Sequence, residues 1–378
     1  MLRKAFLFFA LFVGLSTLAA QESVLYVTQP DALTIFLNGV AYVRDEVVIA
    51  GGSSASIALP ANLFEETLTV REGNTDIATY TINTTSGTRA LHLPASEAGE
   101  VRIITLEYLA SGISWQPSYR MSLSSTAPEN VGFSYYAAIR SDAFELDNAA
   151  VRLAAGKVDA YQAVQAASTG LSMNQMFTDS TVVANAGLAP TGSVTIQHTY
   201  DIGTLSISPG DTTYTKILEE TFSARRILLW NAASSIDVSV IYKVLNSSAV
   251  PLTEGVVRNT SDGLFIGSDG IEFTPIGSEG SVTVGSAREI RVERAETITA
   301  ITPRVFTEND QRHDVTLTLT NFGAEAVTVE VVDQYPTDAQ AFVFSTPPVE
   351  EGGNVLRWIV EVPAGETITL TYQFEAMY

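Results

Sequence analysis

The sequence predicts an all-β, multi-domain β-sandwich protein that ends in an immunoglobulin-like sandwich, and three observations carry that prediction. Short runs rich in Val, Ile, Thr, Tyr and Phe recur from Val24 onward, broken by Gly, Asn, Asp, Pro and Ser, the pattern of strands and turns. No long stretch keeps the period of an amphipathic helix. The C-terminal region holds evenly spaced strand-like runs around one tryptophan, Trp358, as a two-sheet sandwich requires.

Composition bounds the rest. The chain has 378 residues and no cysteine, so disulfides, thiolate metal sites and a cysteine nucleophile are excluded and stability must come from burial. Arg3-Lys4, an apolar run from Ala5 to Leu15 and the small residues Ser16 to Ala20 make the three parts of a secretory signal peptide, expected to be cleaved near Ala20. An exported chain without cysteine is not a lipoprotein, and its expected place is periplasmic or extracellular. The apolar run is too short to span a bilayer, so no transmembrane span is expected in the mature chain. Acidic residues number 42 against 21 basic, a formal net charge of −21 that disfavours nucleic acid and anionic lipid as partners.

Taken in order, residues 21–95 read as a small N-terminal β-sandwich. Its clearest element is the pair Leu33 to Leu37 and Val40 to Arg44 around Asn38-Gly39, a sequence that favours a type I′ hairpin. Further strands are expected at Ser54 to Leu59, Leu68 to Arg71 and Ile77 to Ile82. Residues 100–297 form a large central β domain. It opens with Val101 to Tyr108 and reaches Gly112-Ile113-Ser114-Trp115-Gln116-Pro117, where a strand-breaking glycine and a proline without an amide donor predict a bulge or edge crossing. Phe133, Tyr135, Ala137 and Ile139 alternate with Ser134, Tyr136, Ala138 and Arg140, which predicts one buried face.

Between 156 and 192 the composition shifts to Ala, Gln, Ser, Thr, Asn and Gly, which reads as a long mobile loop and the first candidate for a working surface. Strands resume at Val194 to Tyr200, Thr213 to Thr221, Ile227 to Trp230, Ile236 to Val244, Gly255 to Arg258 and Val282 to Val284. Ser261-Asp262-Gly263 and Ser268-Asp269-Gly270 each predict a tight turn. A hinge is expected around Arg294 to Pro303, and residues 298–378 form the immunoglobulin-like sandwich, with Trp358 in its core.

These residues carry a resemblance. Thr34 to Arg44 with Leu59-Pro60-Ala61-Asn62-Leu63 resembles the N-terminal domain of bacterial mucoidy-inhibitor A-like proteins. Gly112 to Tyr119, Asn246 to Gly255, Asp262 to Gly267 and the terminal region with Asn321, Pro336 and Trp358 are similar to that family's large C-terminal domain of unknown function. Many members of the family insert a coiled coil between the two domains, whereas only a short connector separates Asn83 from Gly99 here. The resemblance implies fold and export and brings no established chemistry.

Catalytic patterns are sparse. The histidines, His92, His198 and His313, lack the spacing of a zinc site, and neither a nucleophile elbow nor a phosphate-binding loop occurs. Asp142, Glu145, Asp147, Glu219 and Glu220 near strand ends are available for a carboxylate pair, which glycoside hydrolysis would need facing one sugar. Trp115, Tyr119, Tyr135 and Tyr136 could form a stacking platform, but Trp115 and Tyr119 are expected to fill the core where two sheets meet.

No catalytic, cofactor-binding or metal-binding residue is therefore assigned and no cofactor is expected. The expected role is that of an exported, non-catalytic binding or structural protein of the bacterial envelope, with an envelope protein or polysaccharide as partner. The alternatives are a carboxylate-dependent hydrolase of envelope polysaccharide or peptide, and an assembly component that binds by strand addition.

Overall fold

A computed structural model describes residues 24–50, 52, 54–85, 87–97, 101–158, 194–302 and 310–376. The expected signal peptide and most of the 156–192 segment lie outside them. Strand accounts for 69% of the structure, and the one helical element among the described residues is a 3₁₀ turn at Glu65–Thr67. No helix among the described residues is long and apolar enough to cross a membrane.

In chain order the first strands are β1 (Val24–Tyr26), β2 (Ala32–Phe36), β3 (Val40–Ala50), β4 (Ala55–Ala58), β5 (Thr69–Glu72), β6 (Thr75–Asp76), β7 (Thr81–Thr85) and β8 (Thr88–Leu93). Then come β9 (Val101–Ser111), β10 (Ile113–Leu123), β11 (Asn130–Ser141), β12 (Leu146–Val158), β13 (Val194–Ile207), β14 (Thr212–Asn231), β15 (Ser239–Leu245), β16 (Gly255–Ser261), β17 (Leu264–Ile271) and β18 (Glu279–Ser286). The last are β19 (Ile290–Thr302), β20 (Asp310–Asn321), β21 (Val327–Gln334), β22 (Ala339–Phe344), β23 (Glu350–Gly352), β24 (Val355–Val362) and β25 (Thr367–Ala376).

They form four sheets. A seven-stranded sheet runs β13-β12-β2-β3-β9-β5-β6 and a four-stranded one runs β1-β4-β8-β7. A ten-stranded sheet runs β17-β16-β10-β11-β14-β21-β24-β23 with β15 and β18 beside it, and a second four-stranded sheet runs β19-β20-β25-β22. The strands of 21–95 are thus hydrogen-bonded to β9 and β12 across the boundary expected near residue 95. Leu33, Ile57, Leu106, Trp115, Phe133, Tyr135 and Phe222 share one core. A second core joins Trp230, Val331 and Trp358 to Val315, Leu317, Tyr372 and Phe374, so the C-terminal strands pack as two facing sheets.

β14 passes through both cores, with Phe222 and Ala224 buried in the first and Leu228 and Trp230 in the second. The sequence reads it as two strands because the adjacent Arg225 and Arg226, both exposed, break the alternation at the crossing point. Three further expectations are corrected. The β2–β3 connection has a positive φ only at Gly39 (81°), with the Gly39 amide donating to the Phe36 carbonyl at 3.4 Å, so it is a three-residue loop rather than a type I′ turn. Ser268-Asp269-Gly270 lies inside β17, where the Asp269 side chain accepts the Thr283 amide at 2.6 Å. The expected hinge is strand through Thr302, paired along β20, and its side chains are tied down, Arg294 by an ion pair to Asp333 and Glu296 by a hydrogen bond to His313.

Gly112 connects β9 to β10 with φ +99°, and a Cβ there would lie 2.7 Å from the Ala143 Cβ, so both conformation and space demand glycine. Pro117 pairs with β11 just before β16 joins β10 at Ser118, so its missing amide hydrogen falls where β10 is still an edge.

Candidate binding cleft on the large sheet

The aromatic residues of β10 and β11 settle first. Trp115, Tyr119 and Tyr135 are fully buried, and the Trp115 indole donates to the Ala154 carbonyl at 3.1 Å. Tyr119 and Tyr135 stack at 4.5 Å between ring centroids. The Tyr119 hydroxyl donates to the Thr253 carbonyl at 2.7 Å, and the Tyr135 hydroxyl lies 2.6 Å from Thr253 Oγ1. Burial pushes both phenols well above their ordinary range, so they are neutral structural groups. These three rings are core and offer no stacking platform.

The histidines are dispersed. His92 Nδ1 lies 2.7 Å from Ser56 Oγ, but Ser56 is only 3% exposed and among the described residues no group meets the other ring nitrogen, so the pair lacks access and an orienting third member there. His198 packs edge-on against Tyr200, and burial lowers its pKa. His313 stacks on Phe374 at 4.5 Å with its Nδ1 2.6 Å from Glu296 Oε1. Glu296 also takes Arg294, which reaches the fully buried Asp333 at 2.9 Å; Tyr372 donates to Asp333 at 2.7 Å. Burial works against the Glu296 charge, but hydrogen bonds from Arg294 and His313 outweigh it and hold its carboxyl below the ordinary range. This network runs from the buried Asp333 to the exposed Glu296 and belongs to the C-terminal sandwich. No group of three or more His, Asp or Glu arranged for a metal ion occurs among the described residues.

Among the flagged carboxylates, Asp142 pairs with Arg140 at 2.8 Å and Glu145 accepts from Ser208 at 3.0 Å, both at exposed positions. Asp147 lies at the start of β12, away from the cleft described next. Glu219 and Glu220 instead border a cleft of about 950 Å³ on the outward face of the ten-stranded sheet; Glu219 shares that face, whereas Glu220 pairs with core-facing Phe133 and has the opposite parity.

Cross-strand register builds that cleft. One row runs Phe265, Thr260, Ser122, Gly132 and Thr221 across β17, β16, β10, β11 and β14. The next row on the same face runs Arg258, Arg120, Ser134 and Glu219. Outward parity follows from alternation, because Tyr119, Met121, Phe133, Tyr135 and Val257 point into the core. Arg120 and Arg258 therefore stand side by side on adjacent parallel strands. The Arg120 guanidinium lies 4.8 Å from the centroid of the Tyr136 ring, and Lys216, which is held by Glu219, approaches that ring at 5.9 Å from the other side.

A second cleft on the seven-stranded sheet, of about 470 Å³, gives a useful contrast. There Arg71 pairs with Asp76 and Glu107, Arg44 with Glu46, and Arg152 with Asp201. Neither Arg120 nor Arg258 has a carboxylate within ion-pair distance among the described residues. Sequence reading flagged Glu219 and Glu220 but missed these two arginines. The available signal was an outward-facing arginine in each of two strands of a strongly acidic chain.

A multi-sheet, all-β molecule with a polar cleft on one sheet face is the class that fold and site define. Residues 104–378 match the model of a domain of unknown function, DUF4139, and the chain belongs to that family. No match to a curated protein is found.

Proposed function

We propose that this chain is an exported, non-catalytic binding or structural protein of the bacterial envelope that engages its partner through the Arg120–Arg258 cleft. The observation that carries the reading is the pair of like charges placed directly opposite each other with no carboxylate within ion-pair distance among the described residues. Such a pair is unfavourable on a sheet unless an anion joins it. Export is supported by the leader-like residues 1–20, and an envelope role by the resemblance to mucoidy-inhibitor A-like proteins. The partner is an envelope protein or polysaccharide.

The test is recovery of partners from solubilised native envelope with the unmodified protein and with Gly132→Leu, which fills the cleft floor. A Cβ at Gly132 meets Ser122 only at an ordinary 3.5 Å, and far-UV circular dichroism checks that the variant keeps its sheets. Partners recovered by the unmodified protein and lost by the variant are the expected result; identical recovery refutes the cleft as the binding surface. Turnover of envelope glycan or peptide that disappears in Glu219→Gln or Glu220→Gln would replace binding with hydrolysis.

A second reading, strand addition, is favoured by β19. Among the described residues this strand pairs on one side only, and Ile298 and Ile301 on it are 55% and 37% exposed.

A further inference from the structure

Resting on the reading of this cleft as a binding site, we propose that its ligand is a sugar carrying one oxyanion, a carboxylate or a phosphate ester. The oxyanion sits between Arg120 and Arg258, and the sugar ring lies over Ser122 and Thr260 against Phe265.

Charge fixes the first part. Arg258 and Arg120 are one strand spacing apart, about 4.8 Å, which suits two guanidinium groups sharing one oxyanion. The Tyr136 ring beside Arg120 restrains that side chain before any ligand arrives. Glu219, in the same row two strands away, is held by Lys216, so this row has a place for an anion and none for a cation. A net charge of −21 surrounds the pair and opposes a densely charged polymer, which limits the ligand to an isolated negative group.

The remaining lining fixes the body of the ligand. β16, β10 and β11 are inner strands paired on both sides, so their backbone groups are used within the sheet and only side chains meet a ligand. On the outward face those side chains are hydroxyls. Ser122 and Ser134 can donate or accept, and Thr260, whose hydroxyl donates to the Met121 carbonyl at 3.4 Å, presents an acceptor. Such a floor pairs with a body rich in its own hydroxyls, and Gly132 among them keeps it open. Phe265, 66% exposed, ends the row of Thr260 and Ser122 and gives the apolar face of a sugar ring a flat partner. It lies one strand across and two residues along from Arg258, about 8 Å, so one ring reaches from the aromatic to the arginines. The turn beside Phe265 is tied down, with Asp262 accepting the Ser125 amide at 3.2 Å and its own amide donating to the Leu123 carbonyl at 3.1 Å.

The test is calorimetric titration of the full chain with galacturonate, glucose 6-phosphate, galactose, acetate, inorganic phosphate and N-acetyl-trialanine. Galacturonate or glucose 6-phosphate should bind, and the tighter of the two identifies the oxyanion. Galactose should bind about tenfold more weakly or worse, the equivalent of one lost charge-assisted hydrogen bond. Arg120→Gln with Arg258→Gln should weaken the acidic sugar by at least that factor. Phe265→Ala should weaken the acidic sugar about fivefold and leave the bare anions unchanged, a split that general loss of structure would not produce. Far-UV circular dichroism verifies that each variant keeps its sheets.

Failure of folded protein to bind either acidic sugar at about 10 mM, an affinity of galactose equal to theirs, or insensitivity to the arginine pair would each overturn the proposal. Acetate or phosphate binding as tightly as the sugar that carries the same group would also overturn it and leave a simple oxyanion site. N-acetyl-trialanine binding more tightly than both sugars would replace the sugar with a peptide carboxylate. If both sugars fail while envelope recovery still depends on Gly132, the ligand class is wrong and the binding role stands.

Discussion

Asp45 offers the sharpest test of the physical reading of this fold. It lies on β3 between Val43 and Val47, on the core-facing side, and is fully buried. Its Oδ2 accepts from Tyr108 at 2.9 Å and Thr28 at 3.0 Å, but Oδ1 has no hydrogen-bond partner and no cation stands beside it among the described residues. Burial raises its pKa from 3.8 to about 6; the two hydroxyl donors offset only part of that, and nearby Asp31 adds to it. A carboxyl that binds its proton more tightly when folded favours the folded state fully below the unfolded pKa. That advantage is lost as pH rises from about 4 to about 6. A shift of about two units corresponds to about 3 kcal/mol. Asp45→Asn keeps the shape and cannot ionise. It also leaves a buried NH2 group where Oδ1 has no partner, a cost of about 1–3 kcal/mol that does not vary with pH. Urea denaturation of both proteins from pH 3.5 to 8 should show the variant gaining on the unmodified protein by about 3 kcal/mol, mostly between pH 4 and 6. All other ionisable groups are common to both proteins and cancel in the difference. A stability difference that stays flat across this range would mean that Asp45 is not a buried, uncompensated carboxylate, and the argument would fail.

Other perturbations follow from the same structure. Gly112→Ala places a Cβ 2.7 Å from Ala143 in a backbone conformation that side chains disfavour, and should lower stability by about 1–3 kcal/mol in chemical denaturation. Tyr135→Phe removes the hydroxyl that meets Thr253 and should cost about 1 kcal/mol while leaving the aromatic stack in place, as near-ultraviolet circular dichroism would register. Asp333→Ala leaves Arg294 and Tyr372 without their buried partner and should cost about 3–5 kcal/mol by denaturant unfolding. Trp115→Ala should cost a comparable amount, about 3–5 kcal/mol, in the first core.

Much of this architecture is legible in the residues. The alternation of Phe133, Tyr135, Ala137 and Ile139, and of His313 to Asn321, reports the pleat directly, because each strand has one buried and one open face. Trp115 between Gly112 and Pro117 reads as core for the same reason, and its indole is buried. What stays hidden is pairing at long range. Nothing in the residues around Ala32 says that β2 joins β12, so the N-terminal strands look self-contained although they complete a larger sheet. The cleft is hidden in the same way. Arg120 and Arg258 become neighbours only through the β10–β16 register, and Glu219 joins their row through two further strands. Asp45 is different, since its place two residues from both Val43 and Val47 assigns a carboxylate to the inward face by alternation alone.

The twenty residues of β14 have a mechanical consequence. At about 3.3 Å per residue the strand is a beam about 66 Å long, with Glu219 and Glu220 on one part and Trp230 clamped in the second core on another. A pull applied by a partner seated in the cleft would run along covalent backbone and in-register hydrogen bonds into the C-terminal sandwich, with no linker to take up slack. Tension would therefore be resisted in shear by many backbone bonds at once, a property that suits a protein holding a partner in place.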